Sequence, residues 1–253
     1  MKRLTSRKLN AEENLNYLAS VSDLVAGLLF VFIVFLFIFA LQFSMAKTEL
    51  VNTYSLRKIL LNQIFRYLEG KGLNVKVDEE HGILHLPEEV LFPFGSAQVT
   101  EDGRKVLKEL AYAFKLILPC YSGSFNTECP DFCQDSCHPG RLEAIIIEGH
   151  TDNVPVSRWS PFEDNWDLSA QRAINTYKVL VQFEPSLKDL RNAEGQPLFG
   201  ASGYADTRPR VPNDTPEHRA LNRRIDIRFL MTPPREPTVI KRIKSKILLI
   251  NGN

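Results

Sequence analysis

One stretch of the chain carries apolar residues on every face of a helix. Residues 24–43 comprise 20 residues without a charged side chain, and the first polar side chain among them is Gln42. A helix of this length spans about 30 Å, the thickness of the hydrocarbon core of a bilayer. The pattern predicts a single transmembrane helix over residues 19–46. A cleaved signal peptide fits less well, because the apolar run is long and more than 20 residues precede it.

Basic residues flank this run unevenly. Four Lys and Arg residues lie within the first eight positions, whereas only Lys47 follows the run closely. Because the cytoplasmic flanks of membrane helices are enriched in Lys and Arg, residues 1–18 are predicted to be cytoplasmic. The rest of the chain then lies in the periplasm, and the protein is expected to be a single-pass protein of a bacterial inner membrane.

Beyond the membrane segment, the apolar spacing becomes that of an amphipathic helix. Apolar side chains recur three and four positions apart, for example at Leu61, Ile64 and Leu68. Two glycines end the pattern, so residues 47–73 are predicted to form a helical linker. Its apolar stripe needs a partner, which is either the following domain or a second copy of the chain.

Residues 74–232 alternate between strand patterns and helix patterns. β-Branched residues fill the segment 142–150, which predicts a buried strand, and helical spacing covers 165–183. Further segments follow the same two patterns, with strands at 74–92 and 223–231 and helices at 101–118 and 216–222. The alternation predicts an α+β sandwich. The basic tail, residues 233–253, has no predicted role.

The four cysteines cluster in one segment. Cys120, Cys129, Cys133 and Cys137 fall within 18 residues. In an oxidising compartment such a cluster predicts two disulfides, with three possible connectivities. A metal site formed by the last three with His138 is the alternative, but their three-residue gaps differ from the two-residue gap of a zinc knuckle. We therefore expect disulfides and no metal.

Charge and motif content exclude two classes of function. The formal net charge of +1 argues against a nucleic-acid partner. No Ser/His/Asp or Cys/His set falls within a shared motif, and His150 is expected to make a structural hydrogen bond. Glu88 and Glu89 are adjacent in an apparent strand, so their side chains should point to opposite faces. We expect neither an enzyme nor a bound cofactor.

Five motifs occur in the order and spacing of one known domain. They read LFPFGSAQVTEDG, IIIEGHTD, NWDLSAQRA, GYADTRP and LNRRIDIRF. The segment that contains them, residues 75–231, resembles the OmpA-like peptidoglycan-binding domain, with residues 119–140 as a Cys-rich insertion. The resemblance implies a βαβαβ-type sandwich that binds the diaminopimelate residue of the cell-wall peptide stem.

The same resemblance implies a binding site. It assigns Asp152 to the ammonium group of the ligand and Arg172 to its carboxylate, which suits the planar fork of a guanidinium. Four further residues are assigned to the same pocket, namely Asn165, Leu168, Asn222 and Arg224. From the residues alone, a structural salt bridge between Arg172 and Asp152 is an equally good interpretation.

A carboxylate stands at the start of the apolar run. The segment SDLVAGLLFVF resembles the ion-carrying segment of the B subunits of rotary stators, the MotB type. This resemblance assigns Asp23 as the carrier of protons, with Na⁺ as the alternative ion. A charged carboxylate at membrane depth costs about 2.5–3.5 kcal/mol, and burial favours its protonated form. The alternative is that Asp23 caps the helix N-terminus, where a negative charge suits the helix dipole.

The stator resemblance also implies partners. It places two copies of the chain within a ring of five multi-span A subunits, of the MotA or ZorA type, with the outer domains dimerised on peptidoglycan. The short connection 47–73 and the Cys-rich insertion resemble the B subunit of the Zorya anti-phage defence system, ZorB, more than the flagellar type. A flagellar stator subunit and a passive tether between inner membrane and cell wall are the alternatives.

Overall fold

The computed structural model describes the backbone of residues 2–73, 75–123, 133 and 137–232, and the side chains of these residues except 2–20 and 49. The predicted tail 233–253 and most of the Cys-rich insertion lie outside the described residues. The chain divides into two compact units, residues 1–51 and residues 52–253.

A single helix, α1, runs from Lys2 to Gly70 without a break. The apolar run and the predicted linker are therefore parts of one helix. Among the described residues, α1 alone is long and apolar enough to cross a membrane. The apolar side chains from Leu24 to Phe43 are exposed in the isolated chain, as is typical of a helix that is apolar on all faces and is surrounded by lipid.

The second unit is built on a five-stranded sheet with the order β1-β2-β5-β3-β4. The strands are β1 Lys76–Asp78, β2 Ile83–Pro87, β3 Leu142–His150, β4 Phe199–Gly203 and β5 Arg224–Met231. The helices are α2 Glu88–Leu91, α3 Glu101–Ile117, α4 Asn165–Phe183 and α5 Pro216–Asn222. β3 and β4 pair parallel, and the other neighbours pair antiparallel. The parallel pair requires a crossover, which α4 supplies.

Alternation along the strands gives the sheet one apolar face and one charged face. On the apolar face, Ile147 of β3 lies opposite Ile227 of β5, and both side chains are fully buried. On the other face, Glu148 lies opposite Asp226. Because successive side chains of a strand point to opposite sides, the apolar core and the charged cluster are separated by the sheet itself.

The C-terminal part of α1 belongs to the domain core. Leu60, Leu61, Ile64 and Leu68 are buried in the same apolar cluster as the sheet. The side chain of Arg141 also donates a hydrogen bond to the hydroxyl of Thr53 at 2.9 Å. The apolar stripe was expected to pack either on the following domain or on a second copy of the chain. These four residues of the stripe pack on the domain.

Two glycines bring α4 close to the sheet. A Cβ at Gly149 of β3 would overlap the carbonyl oxygen of Ser169, and a Cβ at Gly203 of β4 would overlap the backbone of Ala170. Both clashes involve helix backbone, which cannot turn aside as a flexible side chain can. The absence of side chains at these two positions therefore sets the distance between α4 and the ends of β3 and β4.

The Cys-rich insertion contains a disulfide between Cys120 and Cys133, whose Cα atoms are 5.5 Å apart. Cys137 is also disulfide-bonded, and Cys129 lies outside the described residues. The predicted use of these cysteines in disulfides is confirmed for the three that are described. The alternative metal site is wrong for Cys133 and Cys137, because a sulfur in a disulfide is not a thiolate ligand.

The predicted fold class is confirmed, with one apolar helix followed by an α/β domain. β3, α4 and α5 coincide with the segments 142–150, 165–183 and 216–222 predicted for them. The two helices begin at clear N-caps. Asp164 accepts a hydrogen bond from the Asp167 amide at the start of α4, and Thr215 accepts one from the His218 amide at the start of α5.

The placement of Glu88 and Glu89 in a strand is wrong. β2 ends at Pro87, and the two glutamates begin the short helix α2. Proline has no amide hydrogen to continue a sheet ladder, and its fixed φ suits the residue at which a helix starts. Glu88 is buried and Glu89 is exposed. The helical position of Glu88 directs its side chain inward, where it can line a pocket.

Candidate ligand-binding pocket

A pocket of about 300 Å³ lies beyond the C-terminal end of β3. Its charged lining residues are Glu88, Asp152, Arg172 and Arg223. Its apolar lining residues include Phe94, Val154, Pro155, Trp159, Pro161 and Leu168. A concave, largely apolar site with a few convergent charged groups is the usual form of a small-ligand site.

Two elements position the charged groups. Asp152 lies two residues after the end of β3, and Arg172 lies about two turns into α4, which begins at Asn165. The side-chain amide of Asn165 donates to the backbone oxygens of Asp152, at 3.2 Å, and Val154, at 3.0 Å. The first residue of the helix thus holds the loop that carries the aspartate.

Asp152 is oriented by two donors and is only 4% exposed. Its Oδ1 accepts a hydrogen bond from the Val154 amide at 2.9 Å. Its Oδ2 accepts one from Nη1 of Arg223 at 2.7 Å. The aspartate is therefore paired with Arg223 and not with Arg172, and the salt bridge considered between Arg172 and Asp152 is absent.

Arg172 is almost fully buried, with 1% of its surface exposed. Its Nη2 lies 2.7 Å from Oε1 of Glu88, and its Nε donates to the carbonyl oxygen of Ser96 at 2.8 Å. The guanidinium also lies over the ring of Phe92. Burial lowers the pKa of Arg172, while the Glu88 carboxylate acts in the opposite direction. The group is held rigidly and is poorly solvated.

Glu88 connects the two arginines. Besides its contact with Arg172, its Oε2 lies 3.6 Å from Nε of Arg223. Burial raises the pKa of Glu88, against the attraction of both guanidiniums. The pocket therefore contains two carboxylates and two guanidiniums in one network, Asp152–Arg223–Glu88–Arg172. Such a network can exchange one of its internal pairs for the ammonium or carboxylate of a zwitterionic ligand.

The structure brings together four of the six residues assigned to the pocket, namely Asp152, Asn165, Leu168 and Arg172. Asn222 and Arg224 are not among the lining residues. The Asn222 side chain is buried and bonds the backbone of Arg210 and Val211. Arg224 points to the charged face of the sheet, where its Nε donates to Asp226 at 2.9 Å.

Sequence reasoning missed Glu88 and Arg223. The motif LNRR offered two adjacent arginines, and the assignment fell on the second, whereas the first reaches the pocket. Arg223 is the C-cap of α5, whereas Arg224 is the first residue of β5, and their side chains bind different partners, Asp152 and Asp226. The predicted strand around Glu88 gives no indication that this residue lies at the pocket. The position of Glu88 directly after Pro87 is the sequence signal that the strand ends before this residue.

The charged face of the sheet forms a second cluster. Glu148 accepts two hydrogen bonds from Arg228, each at 2.8 Å. Nδ1 of His85 lies 2.6 Å from Oδ1 of Asp226. By distance, Glu148, His150 and Asp226 could share a metal ion. Each carboxylate is already paired with an arginine, however, and we assign no metal to this cluster.

His150 is buried in this cluster and stacks on Tyr204, with ring centroids 5.4 Å apart. Neither ring nitrogen has a hydrogen-bond partner among the described residues, and Nε2 lies 3.4 Å from a carboxylate oxygen of Asp226. The expected structural hydrogen bond is therefore wrong. Burial, followed by repulsion from Arg224, lowers the pKa of His150 to about 4.

Asp23 lies in the interior of α1, because the helix begins at Lys2. The interpretation of Asp23 as an N-cap is therefore wrong. Its side chain is exposed in the isolated chain. One turn further, Gly27 has open space where a Cβ would stand, which leaves room for a neighbouring helix to approach. The assignment of Asp23 as an ion carrier stays a prediction.

Comparison with known proteins agrees with this architecture. Residues 134–223 match the sequence profile of the OmpA family. Motility protein B of Bacillus subtilis (strain 168) is 27% identical over 173 residues, which cover 67% of this chain and 54% of that protein. Motility protein B of Helicobacter pylori (strain J99) is 34% identical over 162 residues, which cover 64% of this chain and 51% of that protein.

Among solved structures, the periplasmic domain of Helicobacter pylori MotB superposes with a TM-score of 0.43 at 24% identity, over 66% of this chain and 83% of that one. The chain spans about half the length of the two curated relatives it matches. The profile match and the strand order of the sheet together identify the C-terminal α/β domain as one of OmpA-like fold. An N-terminal apolar helix precedes this domain.

Proposed function

We propose that the pocket beyond β3 binds the peptide stem of peptidoglycan and thereby anchors the protein to the cell wall. One observation carries this proposal: an aspartate and two arginines converge at one pocket in the part of the chain that matches the OmpA family. A diaminopimelate residue in the stem presents an ammonium and a carboxylate on one carbon. Such a zwitterion needs one anion and one cation a few ångströms apart.

The contacts indicate how each group would bind. The ligand ammonium approaches Asp152, which has an oxygen already aligned by the Val154 amide. The ligand carboxylate approaches the guanidiniums of Arg172 and Arg223. The side chain of Arg223 is 22% exposed, so it is the group that can leave its internal partner most easily. Glu88 keeps Arg172 in place during this exchange.

The test is peptidoglycan pulldown with the detergent-solubilised chain. The double variant Asp152→Ala with Arg172→Ala is expected to lose binding, because it removes one charge of each sign from the pocket. A matched control is Arg158→Ala with Glu163→Ala, two exposed residues whose removal leaves the net charge equally unchanged. Undiminished binding by the first double variant, or equal loss in the control, would exclude these residues from the site.

Because Arg172 is buried, its removal also affects stability. Urea unfolding of both double variants therefore accompanies the pulldown. Arg172→Lys serves as a second variant, since it keeps the charge but loses the planar fork. We expect it to remain folded and to bind peptidoglycan weakly. A folded Arg172→Lys variant with full binding would show that bidentate recognition by Arg172 is not used.

We further infer that the protein is the B subunit of an ion-driven membrane stator, located in the bacterial inner membrane with a periplasmic wall-binding domain. The two named relatives are motility proteins B. The apolar part of α1 contains one carboxylate, Asp23, inside the helix. A multi-span A subunit, in a ring of five chains around two copies of this one, supplies the rest of the ion path. The ion is a proton, and Na⁺ is the alternative.

Two biological settings fit such a subunit. The Cys120–Cys133 disulfide in the insertion and the direct continuation of α1 into the domain favour a Zorya-type anti-phage complex over a flagellar stator. The names of the relatives favour motility. Deletion of the gene separates the two: loss of phage protection with normal swimming supports the defence role, and loss of swimming alone contradicts it.

A further inference from the structure

A second cavity lies next to the edge strand β1. It has a volume of about 210 Å³, and most of its charged lining residues are basic. The charged and histidine side chains that line it are Lys76, His85, Arg210, Arg223, Arg224 and Glu89. A larger cavity of about 670 Å³ adjoins it, with Lys76, His85 and Arg210 in the walls of both. Of these residues, only Arg223 also lines the pocket beyond β3, so the two sites are distinct.

Strand register brings the central residues of this cavity together. Lys76 of β1 lies opposite His85 of β2, and His85 lies opposite Asp226 of β5. Directly opposed residues of antiparallel strands have Cβ atoms about 4.5–5.5 Å apart and share one face of the sheet. A lysine, a histidine and an aspartate therefore form one row across the charged face.

His85 is 6% exposed and uses only one of its ring nitrogens within the protein. Nδ1 lies 2.6 Å from Oδ1 of Asp226. Burial opposes the charge of Asp226, but the hydrogen bond with His85 and the charge of Arg224 lower the pKa of this carboxyl. An ionised carboxylate only accepts hydrogen bonds, so the proton lies on Nδ1. Nε2 is buried without a partner among the described residues, and a ligand that supplies this hydrogen bond gains free energy.

Two cations at the cavity are not neutralised by the described part of the chain. Lys76 and Arg210 are exposed, and neither forms an ion pair with a described residue. The backbone of Arg210 is nevertheless fixed. Oδ1 of Asn222 accepts hydrogen bonds from the amide of Arg210 at 2.8 Å and from that of Val211 at 3.1 Å. The segment that carries the guanidinium is thus positioned before a ligand binds.

The acidic residues near these cations leave an excess of positive charge. Two of the three acids that line the larger cavity are already paired, Asp78 with His81 at 2.9 Å and Glu79 with Lys58 at 2.7 Å. In the smaller cavity, Glu89 is the exposed acid. Two cations without internal partners therefore face one exposed carboxylate there, and the balance favours an anionic ligand.

We propose that the smaller cavity binds a phosphate group, as inorganic phosphate or as a phosphate monoester, through Lys76, Arg210 and Nε2 of His85. The two cations suit the phosphate oxygens as charge-assisted donors. Near its second pKa of about 6 the phosphate group retains a proton, which it can donate to Nε2. The larger cavity has room for the substituent of an ester. The inference is independent of the proposed wall binding, because neither Asp152 nor Arg172 lines this cavity.

Sulfate is the discriminating probe, because it resembles phosphate in shape but carries no proton at this pH. Isothermal titration calorimetry of the detergent-solubilised chain at about pH 6 and constant ionic strength compares sulfate with inorganic phosphate and glycerol 1-phosphate. We expect phosphate to bind about tenfold more tightly than sulfate, because only phosphate satisfies Nε2 of His85. Equal affinity for sulfate, or no binding of either phosphate compound at millimolar concentration, would overturn the inference.

The two phosphate compounds separate the possible sources of the group. Tighter binding of glycerol 1-phosphate supports a phosphate monoester whose substituent lies in the larger cavity. Tighter binding of inorganic phosphate supports the free ion. If His85→Gln remains folded in urea unfolding, it should bind sulfate and phosphate equally, and a retained preference for phosphate would exclude Nε2 as the group that selects it.

Substitutions of the exposed cations test the contacts without changing the core. Lys76→Gln with Arg210→Gln should weaken phosphate binding about a hundredfold, because two charge-assisted hydrogen bonds are lost. The matched control is Lys178→Gln with Arg158→Gln, two exposed residues that line neither cavity. It removes the same charge and should change the affinity less than about twofold. Equal weakening in the control would show that net charge, and not a site, attracts the anion.

Glu89 provides a test of opposite sign. Glu89→Gln removes the exposed acid of the cavity, so it should strengthen phosphate binding about threefold, whereas Glu194→Gln, at an exposed position outside both cavities, should not. Peptidoglycan pulldown by Lys76→Gln with Arg210→Gln should stay normal. Loss of that pulldown would show that the cavity is part of the wall-binding site, which would overturn an independent phosphate site.

Discussion

At the scale of single residues, the pocket depends on charges that neutralise each other inside the protein. Glu88, Arg172 and Asp152 are each less than 5% exposed. A buried ion pair gives little net stability relative to apolar residues, but removal of one partner leaves an unpaired buried charge and costs about 3–5 kcal/mol. Each of these residues therefore affects both binding and folding, and neighbouring exposed residues serve as controls.

Glu88→Gln tests the internal network. Glutamine keeps the shape of the side chain but leaves Arg172 without its carboxylate, so we expect a loss of about 3 kcal/mol in the free energy of unfolding. Urea unfolding followed by tryptophan fluorescence measures it. Glu89→Gln, at the adjacent exposed position, should change stability by less than about 0.5 kcal/mol. Equal midpoints for the two variants would contradict the assigned role of Glu88.

His150 makes stability depend on pH. Its pKa is about 4 in the folded chain, against 6.5 as its ordinary value. Between these two pH values the unfolded state binds more protons, so this contribution is fully present above pH 6.5 and is lost as the pH falls toward 4. The loss amounts to about 3 kcal/mol at most. Unfolding at several pH values should give a flatter profile for His150→Gln, whereas the exposed His81→Gln should retain the native slope.

At the scale of secondary-structure elements, the approach of α4 to the sheet decides the geometry of the pocket. Asn165 and Arg172 are both on α4, and Asp152 follows β3. Gly149 and Gly203 allow the helix backbone to contact the ends of β3 and β4. Any change that moves α4 outward therefore separates the arginine from the aspartate.

Gly149→Ala tests this packing. Its Cβ would overlap the carbonyl oxygen of Ser169, so we expect a stability loss of about 1–3 kcal/mol together with weaker peptidoglycan binding. The matched control is Gly200→Ala in β4, where the nearest atom is the flexible end of the Ile146 side chain at 3.0 Å. Unfolding midpoints and pulldown of both variants are compared. A Gly149→Ala variant as stable as Gly200→Ala would show that α4 can shift without cost.

At the scale of the whole molecule, one helix carries the apolar segment and also contributes to the core of the α/β domain. α1 passes through both compact units of the chain. In the proposed stator, the domain is fixed to peptidoglycan, so that force generated at the membrane can act on the A subunits. A passive tether would need the same domain and the same apolar segment but no titrating group within it.

Asp23→Asn distinguishes the stator from the tether. Asparagine keeps the shape and removes the titration, so we expect loss of ion-driven activity with normal co-purification of the A subunit and normal peptidoglycan pulldown. Phage plating and swimming assays measure the activity. Ser22→Ala, which changes the neighbouring residue without removing a charge, should be mild. Full activity of Asp23→Asn would identify Asp23 as a structural residue and favour the tether.

Local patterns in the amino-acid sequence are sufficient to predict the elements with strong periodicity. The apolar run of α1, the β-branched strand β3 and the capped helices α4 and α5 follow from local patterns, because burial and hydrogen bonding along one segment impose those patterns. The motif resemblance pointed to Asp152 and Arg172, and four of the six residues assigned to the pocket do line it.

The pairing of these residues follows from the packing of the elements and not from local patterns. Glu88 and Arg172 are 84 positions apart in the sequence, and their contact depends on how closely α4 packs on the sheet. The choice between Arg223 and Arg224 depends on where α5 ends and β5 begins, since Arg223 is the C-cap of the helix and Arg224 is the first paired residue of the strand. These contacts depend on how helices and sheet pack together, so no pattern within a single segment contains them.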